Sequence, residues 1–291
     1  MTAFTAEDAQ ALLGERDLIA VGVRGDEERR RRHGTKTTFV RVFEVHGDAV
    51  PSSLPASARA GEIRLIGRPQ SIEQAVAGVA AARTLADAVA VPLTGYSLTD
   101  LYDATFGSRD GFRALLGALR DAGLDTIAEA PVDVSDDIVA LVTDARQQGL
   151  LVPRLTVHGA ADGPASDADR ITHVLRAQEI QRAAGGVRAF APLPRVSSIA
   201  QPSTGYDDIK VIAMARLLAD DIDSIQVDWA LYGPKLAQVS LTMGADDVDA
   251  VSPLEGDLGR RRSPIEEIRG NIMAAGLEPI ERDARFAERR A

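Results

Sequence analysis

The chain has 291 residues, 33 Lys+Arg against 43 Asp+Glu, and a formal net charge of −10. A hydrophobic share of 45% suffices for a sizeable core and excludes a disordered chain, and the acidic balance argues against a protein that coats nucleic-acid phosphates. There is no cysteine, which excludes disulfides, thiolate zinc sites, a cysteine nucleophile and a thiolate-held iron–sulfur cluster.

A short helix is predicted over 6–14, within a helical extension at 1–33. Strands follow at 37–45 and 62–67, with a loop at 51–57 between them. An Ala-rich helix over 71–86 leads to a strand at 88–94, then helical stretches at 98–105 and 109–122 stopped by Gly123. A strand at 125–130, a helix at 135–148 stopped by Gly149 and a strand at 150–158 continue the alternation. The next helix, 166–184, has Ser166 as N-cap, Asp169 three residues on, and Gly185–Gly186 as its stop. Strand 187–193, helix 205–220, strand 224–232, helix 234–243, strand 247–251 and helix 263–275 complete the series. Repeated strand–helix units imply a parallel α/β fold. The absence of GxGxxG after the first strand and of any linker favours a TIM-type (β/α) barrel, complete or partial, forming one domain over 1–291.

In a barrel, alternate strand residues face the lumen. Gln226, Asp228 and Ala230 then share the inner face of strand 224–232, and Val227, Trp229 and Leu231 face the helices. Arg154, Thr156 and His158 share a face of the fifth strand, and Glu44 and His46 a face of the first. Glu129 ends its strand and Arg195 follows the next-but-one. This polar set points to a ligand cavity at the C-terminal mouth, the alternative being a self-satisfying ion-pair network such as Glu129–Arg154. Glu129, His158 and Asp228 are the candidate catalytic residues: His158 as general base and Asp228 as an orienting carboxylate, or else a mere partner of Arg195 or Lys235. Glu44, Arg154, Arg195, Lys235 and Gln238 are the candidate ligand contacts. His33 and His173 read as surface or helix-face residues, and Arg260–Arg262 as a loop cluster. The four histidines lack HxH or HxxxH spacing, so no metal site is expected. The N-terminus lacks a basic segment leading into an apolar one, and no run of about 18 apolar residues occurs, so a cytoplasmic chain without membrane contacts is expected.

Residues 185–251 carry a specific pattern. Gly185, Gly186, Phe190, Pro192 and Leu193 are followed by Asp207, Asp208, Lys210, Ile212, Ala213, Arg216 and Leu217. Then come Trp229, Gly233, Lys235, Ala237 and Gln238, and finally Gly244, Ala245, Asp246, Asp247 and Asp249. This resembles the C-terminal half of the aminofutalosine synthase family, and is similar to dehypoxanthine futalosine cyclases and deazaflavin (FO) synthase subunits. AGLEPIERDARF (275–286), LRDAGLDTI (119–127) and RRHGTKTTFV (31–40) extend the resemblance. It implies a (βα) barrel of the radical S-adenosylmethionine type, whose cluster loop, CxxxCxxC, follows the first strand. At that place the chain reads HGDAVPSSLPASARAGEIRLIG, without cysteine and short for a cluster loop plus a helix. The glycine pair that meets S-adenosylmethionine appears as Gly67–Arg68, and a Gly–His pair as Gly159–Ala160.

The expectation is therefore a cluster-less homologue without a cofactor, residual S-adenosylmethionine binding being open to test. It would act as a non-radical pseudoenzyme or metabolite-binding accessory protein linked to menaquinone biosynthesis. The expected partners are a small carboxylated or nucleoside-like metabolite and a menaquinone-pathway enzyme, with no nucleic acid. The alternatives are a repurposed enzyme with acid–base residues in the lumen, and a structural subunit.

Overall fold

Charge alternation along the strands sets the architecture. In β2 (Glu62–Ile66), Glu62 and Arg64 alternate with Ile63 and Leu65; in β8 (Asp247–Val251), Asp247 and Asp249 flank Val248. The apolar members are fully buried against the helix layer, and the charged members meet one another on the inner face. The computed structural model of the chain describes residues 4–254 and 265–289, so Arg260–Arg262 lies outside the described residues.

The remaining strands are β1 (Lys36–His46), β3 (Leu93–Ser97), β4 (Thr126–Pro131), β5 (Arg154–Val157), β6 (Ala189–Pro194), β7 (Ser224–Asp228) and β9 (Glu278–Glu281). The helices are α1 (Ala6–Gly14), α2 (Leu18–His33), α3 (Ile72–Ala88), α4 (Leu98–Asp103), α5 (Arg109–Asp121), α6 (Ile138–Gln147), α7 (Asp167–Ala184), α8 (Gly205–Leu218), α9 (Trp229–Leu241) and α10 (Ile265–Ala274). Strands β1 to β8 pair in order, all parallel, and β1 closes the ring on both β8 and β2, giving a TIM-type α/β barrel. The upper half of β1 pairs with β2, from Val42↔Glu62 to His46↔Ile66. The same edge of its lower half is taken by β9, from Lys36↔Glu278 to Phe39↔Glu281.

Residues 47–61, between β1 and β2, hold no helix. Outside the ring, α1 and α2 pack on α8. Gly25 lets α2 lie close both to α8, where a Cβ would be 3.2 Å from the Ala213 Cβ, and to the segment after α9, where it would be 2.1 Å from the Met243 carbonyl oxygen. Capping boxes at Thr5/Asp8 and Ser166/Asp169 start α1 and α7, and Gly185, at φ 66°, ends α7.

Three expectations are corrected. The strand at 224–232 ends at Asp228, whose side-chain oxygen accepts the Leu231 N–H at 3.0 Å and caps α9. Ala230 is therefore not a lumen residue, and Leu231 is exposed on a helix rather than packed beneath one. Helix α9 starts at Trp229, five residues before the predicted start, and breaks at Gly233–Pro234. The strand at 88–94 lies at Leu93–Ser97 instead, because the Ala-rich helix before it runs on to Ala88. Strand β9 was not anticipated: Pro279 within four residues argues against a central strand, yet is tolerated where β1 is the one strand it pairs with among the described residues.

Candidate functional site

The lumen is filled from the bottom by ion pairs. Asp247 receives Arg282 through Nε and Nη2, both at 2.6 Å, the Gln226 amide at 2.6 Å, and the Thr38 hydroxyl. Burial pushes the Asp247 carboxyl up, and the Arg282 charge with these hydrogen bonds more than reverses it, leaving it below the usual carboxylate range. One layer higher, Arg64 donates to both oxygens of Asp249 at 3.0 and 2.9 Å and to Glu62 at 2.6 Å. Glu62 also accepts the Thr94 hydroxyl at 2.6 Å. Arg154 donates to Asp249 as well, and through Nε to the Ala128 carbonyl at 3.1 Å. Burial, with Arg64 and Arg195 close by, pulls the Arg154 guanidinium down to about 9. The space left among these side chains is about 10 Å³, room for no more than one water.

The chain of pairs continues to the C-terminal ends of the strands. Glu129 lies 3.7 Å from Arg154 and 2.8 Å from Arg195, and Arg195 lies 3.6 Å from Asp228. So Glu129, Arg154, Arg195 and Asp228 come together, as partners of one another. His158 stands exposed beside them, its backbone N–H donating to Asp133 at 2.7 Å. Asp100, on α4, adds a carboxyl that burial pushes above its usual range, against the nearby Arg68 charge. It is within electrostatic reach of both Glu129 and His158.

Among the recesses that the described residues form at this rim, the end where barrel sites are built, two are roomy enough to hold a ligand group. One, of about 350 Å³, lies between the end of β1, the start of α9 and the segment after β8, and is lined by Phe43, Glu44, Pro55, Trp229, Ser252 and Pro253 among others. Trp229 is 2% exposed and its indole Nε1 has no hydrogen-bond partner among the described residues. Glu44 is exposed and stands in register opposite Arg64. The other, of about 170 Å³, is lined by His46, Asp48, Gly67, Arg68 and Tyr96. Beside it the Tyr96 hydroxyl takes the space at Gly47, where a Cβ would lie 2.3 Å away, and burial with Asp48 nearby pushes that phenol up to about 12.

The other two predicted contacts are elsewhere. Lys235 is exposed and Gln238 half-buried along α9, and neither makes a side-chain hydrogen bond among the described residues. His33 meets the Asp223 carbonyl at 3.0 Å, away from the rim. Sequence reasoning missed Glu62, Arg64, Asp247 and Asp249, although charges at every second position of EIRLI and DVDAV signal a lumen face. It also missed Asp100, which no periodicity marks. Among the described residues no three His, Asp or Glu are grouped to share a metal ion, and no helix is long and apolar enough to cross a membrane.

Residues 189–291 match the family described as the CofH/MqnC C-terminal region. The chain is 27% identical over 235 residues to an aminodeoxyfutalosine synthase of Streptomyces coelicolor, covering 67% of this chain and 59% of that protein. It is 29% identical over 222 residues to a 5-amino-6-(D-ribitylamino)uracil–L-tyrosine 4-hydroxyphenyl transferase of Methanosarcina barkeri, covering 64% and 58%. It thus spans about three fifths of the length of these relatives. In fold it is similar to methylornithine synthase, at TM-score 0.66 and 14% identity over 96% of this chain and 94% of that one. An [FeFe]-hydrogenase maturase of Carboxydothermus hydrogenoformans superposes at TM-score 0.65 and 9% identity, over 98% and 77%. Residues 189–291 thus match the CofH/MqnC C-terminal region, and the chain, which has no cysteine, is similar to aminodeoxyfutalosine synthase over about two thirds of its length.

Proposed function

We propose that this chain is a cluster-less, non-radical homologue of aminodeoxyfutalosine synthase, a cytoplasmic metabolite-binding or accessory protein of the futalosine route to menaquinone. The observation that carries the reading is a chain without thiolates whose lumen charges are taken up by one another, beneath a rim with open recesses. Without thiolates the superfamily's 4Fe–4S cluster has no ligands of its usual kind, and without that cluster no electron reaches S-adenosylmethionine to cleave it. The helix-free connection at 47–61 and the Tyr96 hydroxyl against Gly47 agree with this, since both lie where a cluster loop would follow β1. The ligand on this reading is a small carboxylated or nucleoside-like metabolite held at the rim, and the partner a menaquinone-pathway enzyme.

The test is a thermal-shift titration with S-adenosylmethionine and aminodeoxyfutalosine in parallel. A ligand at about 100 times its dissociation constant adds roughly 2.7 kcal/mol, a shift of several degrees. A saturable shift with either supports metabolite binding and names the ligand class. No shift with both, and no pathway enzyme retrieved by the tagged chain, removes the reading.

Asp100, Glu129 and His158 together favour a second one, a repurposed enzyme that moves a proton at the mouth. On that reading His158→Gln and Asp100→Asn each abolish turnover of a substrate identified by binding, and unchanged rates would discard it.

A further inference from the structure

We infer that the cavity between α7 and α8 is a binding site for a short-chain monocarboxylic acid, taken up as the carboxylate together with one proton. It lies outside the lumen and the rim recesses, and it does not depend on the function proposed for them. Three observations carry it.

The first is the enclosure. About 40 Å³ stays free there, and the described residues lining it run from Val157 to Val211, on the side of the ring across from β1. The segments after β5 and β6 both line it and touch each other. The Val196 N–H donates to the His158 carbonyl at 2.7 Å, and a Cβ on Gly159 would lie 2.6 Å from that of Pro194. A water needs about 10–15 Å³ of such space, so the cavity has room for about three, or for one group of similar size.

The second is the polar set. Arg170 and His173, three apart on α7, line the cavity from one helix, and Asp208, in the first turn of α8, lines it from the other. Arg170 Nη1 donates to Asp167 at 3.2 Å. Its Nε and Nη2, one edge of the guanidinium, make no hydrogen bond among the described residues, and neither does the His173 ring. Asp208 is 7% exposed and feels the Arg170 charge, yet the two do not close into an ion pair. A cation and a carboxyl that line one space without meeting leave a place for something that bonds both. The third is the apolar remainder of the wall, which includes Val157, Leu193, Val196 and Val211.

A closed and mostly apolar cavity resists any gain of net charge. A carboxylate alone adds a negative charge beside Asp208, and an ammonium adds a positive one beside Arg170. A carboxylate with a proton adds none. Its oxygens take the free edge of Arg170, the proton is shared with Asp208, and the alkyl end meets the valines. Burial already pushes the Asp208 carboxyl up, and the Ser203 hydroxyl and the Arg170 charge offset only part of this. Asp207 of the same helix and the Tyr232 phenol of α9 also bear on Asp208. Burial pulls His173 down, against Asp133 and Asp169 and with Arg176, so it lines the cavity as a neutral imidazole at neutral pH.

The experiment follows the His173 ring resonances in NMR spectra of the full-length protein, assigned among the four histidines by their loss in His173→Gln. Acetate, acetamide and methylammonium are titrated at constant ionic strength, with chloride as the control. Acetate is expected to give a saturable change, and its affinity to rise about tenfold from about pH 7.5 to about pH 6.5, one proton being bound with each acetate. Acetamide and methylammonium are expected to be at least about tenfold weaker at the lower pH. Asp208→Asn keeps a donor where the proton was shared, so it is expected to bind acetate without pH dependence; a slope that survives this change overturns the shared proton. Should that variant fail to fold, the parent's own slope and the acetamide comparison decide. Acetate binding that is flat with pH in the parent, or acetamide binding as tightly, overturns the ligand class. No saturable change with acetate overturns the site.

Discussion

The lower lumen and the upper rim of this barrel are built from the same residue types and behave oppositely. Below, Asp247, Glu62 and Asp249 each meet arginine at hydrogen-bond distance, and about 10 Å³ stays free. Above, Glu44 and His158 stand exposed and the Trp229 N–H has no acceptor among the described residues. A barrel ordinarily fills its lumen with branched apolar side chains. Here paired charges fill it, and such pairs contribute little net stability over an apolar filling, yet losing one member leaves a buried charge alone. Single substitutions in the lower lumen are therefore expected to cost stability, and those at the exposed rim groups Glu44 and His158 to cost little.

The sharpest way to break this contrast is Asp249→Ala. It strips Arg64 and Arg154 of their shared carboxylate, and a loss of about 3–5 kcal/mol is expected in urea denaturation. A loss under about 1 kcal/mol would mean the network is hydrated and the contrast is wrong. Arg282→Ala comes next, at the lower end, about 3 kcal/mol, because Gln226 and Thr38 still bond Asp247. Acid sharpens the comparison further. Burial raises the carboxyls of Asp247 and Glu62, but Arg282 and Arg64 respectively overcome it and hold both low. As pH falls, the unfolded chain takes up these protons first. The stabilisation is thus complete above the unfolded values of about 3.9 and 4.3 and is lost as pH drops through the lower folded ones. Thermal melts should show a plateau above about pH 5 and a steep fall below about pH 4; a fall between pH 7 and 5 would place the dominant titration elsewhere. Smallest is His158→Gln at the rim, expected to stay within about 0.5 kcal/mol of the parent in the same denaturation assay.

Much of the fold is legible in the sequence because glycine stops and strand–helix periodicity are local signals. Gly185 at φ 66° ends α7 as its position suggests, and the Ser166/Asp169 box starts it. What is not legible depends on competition between local preferences. Asp228 suits a strand's inner face and a helix cap equally well, and the cap decides where β7 stops. That one outcome moves Trp229 from the supposed helix-facing side into the wall of the recess. The site is legible in part for a similar reason. Strand parity brings Glu129, Arg154, Arg195 and Asp228 together, but parity says nothing about which charges pair, so a network and a cavity read alike. Lys235 and Gln238 entered through spacing around Gly233, and a helix after a Gly–Pro break carries them along the outside.

Strand β9 also sets an order of events. The lower edge of β1, at residues 36–39, is closed only by residues 278–281, more than two hundred positions later. During synthesis that edge stays open until almost the whole described chain has emerged, and exposed strand edges are templates for pairing with other chains. A premature stop before Glu278 would leave every strand of the ring in place and still present an unpaired edge. Such a product should be lost to aggregation rather than to unfolding, and β9 then acts as a check that synthesis has passed Glu281.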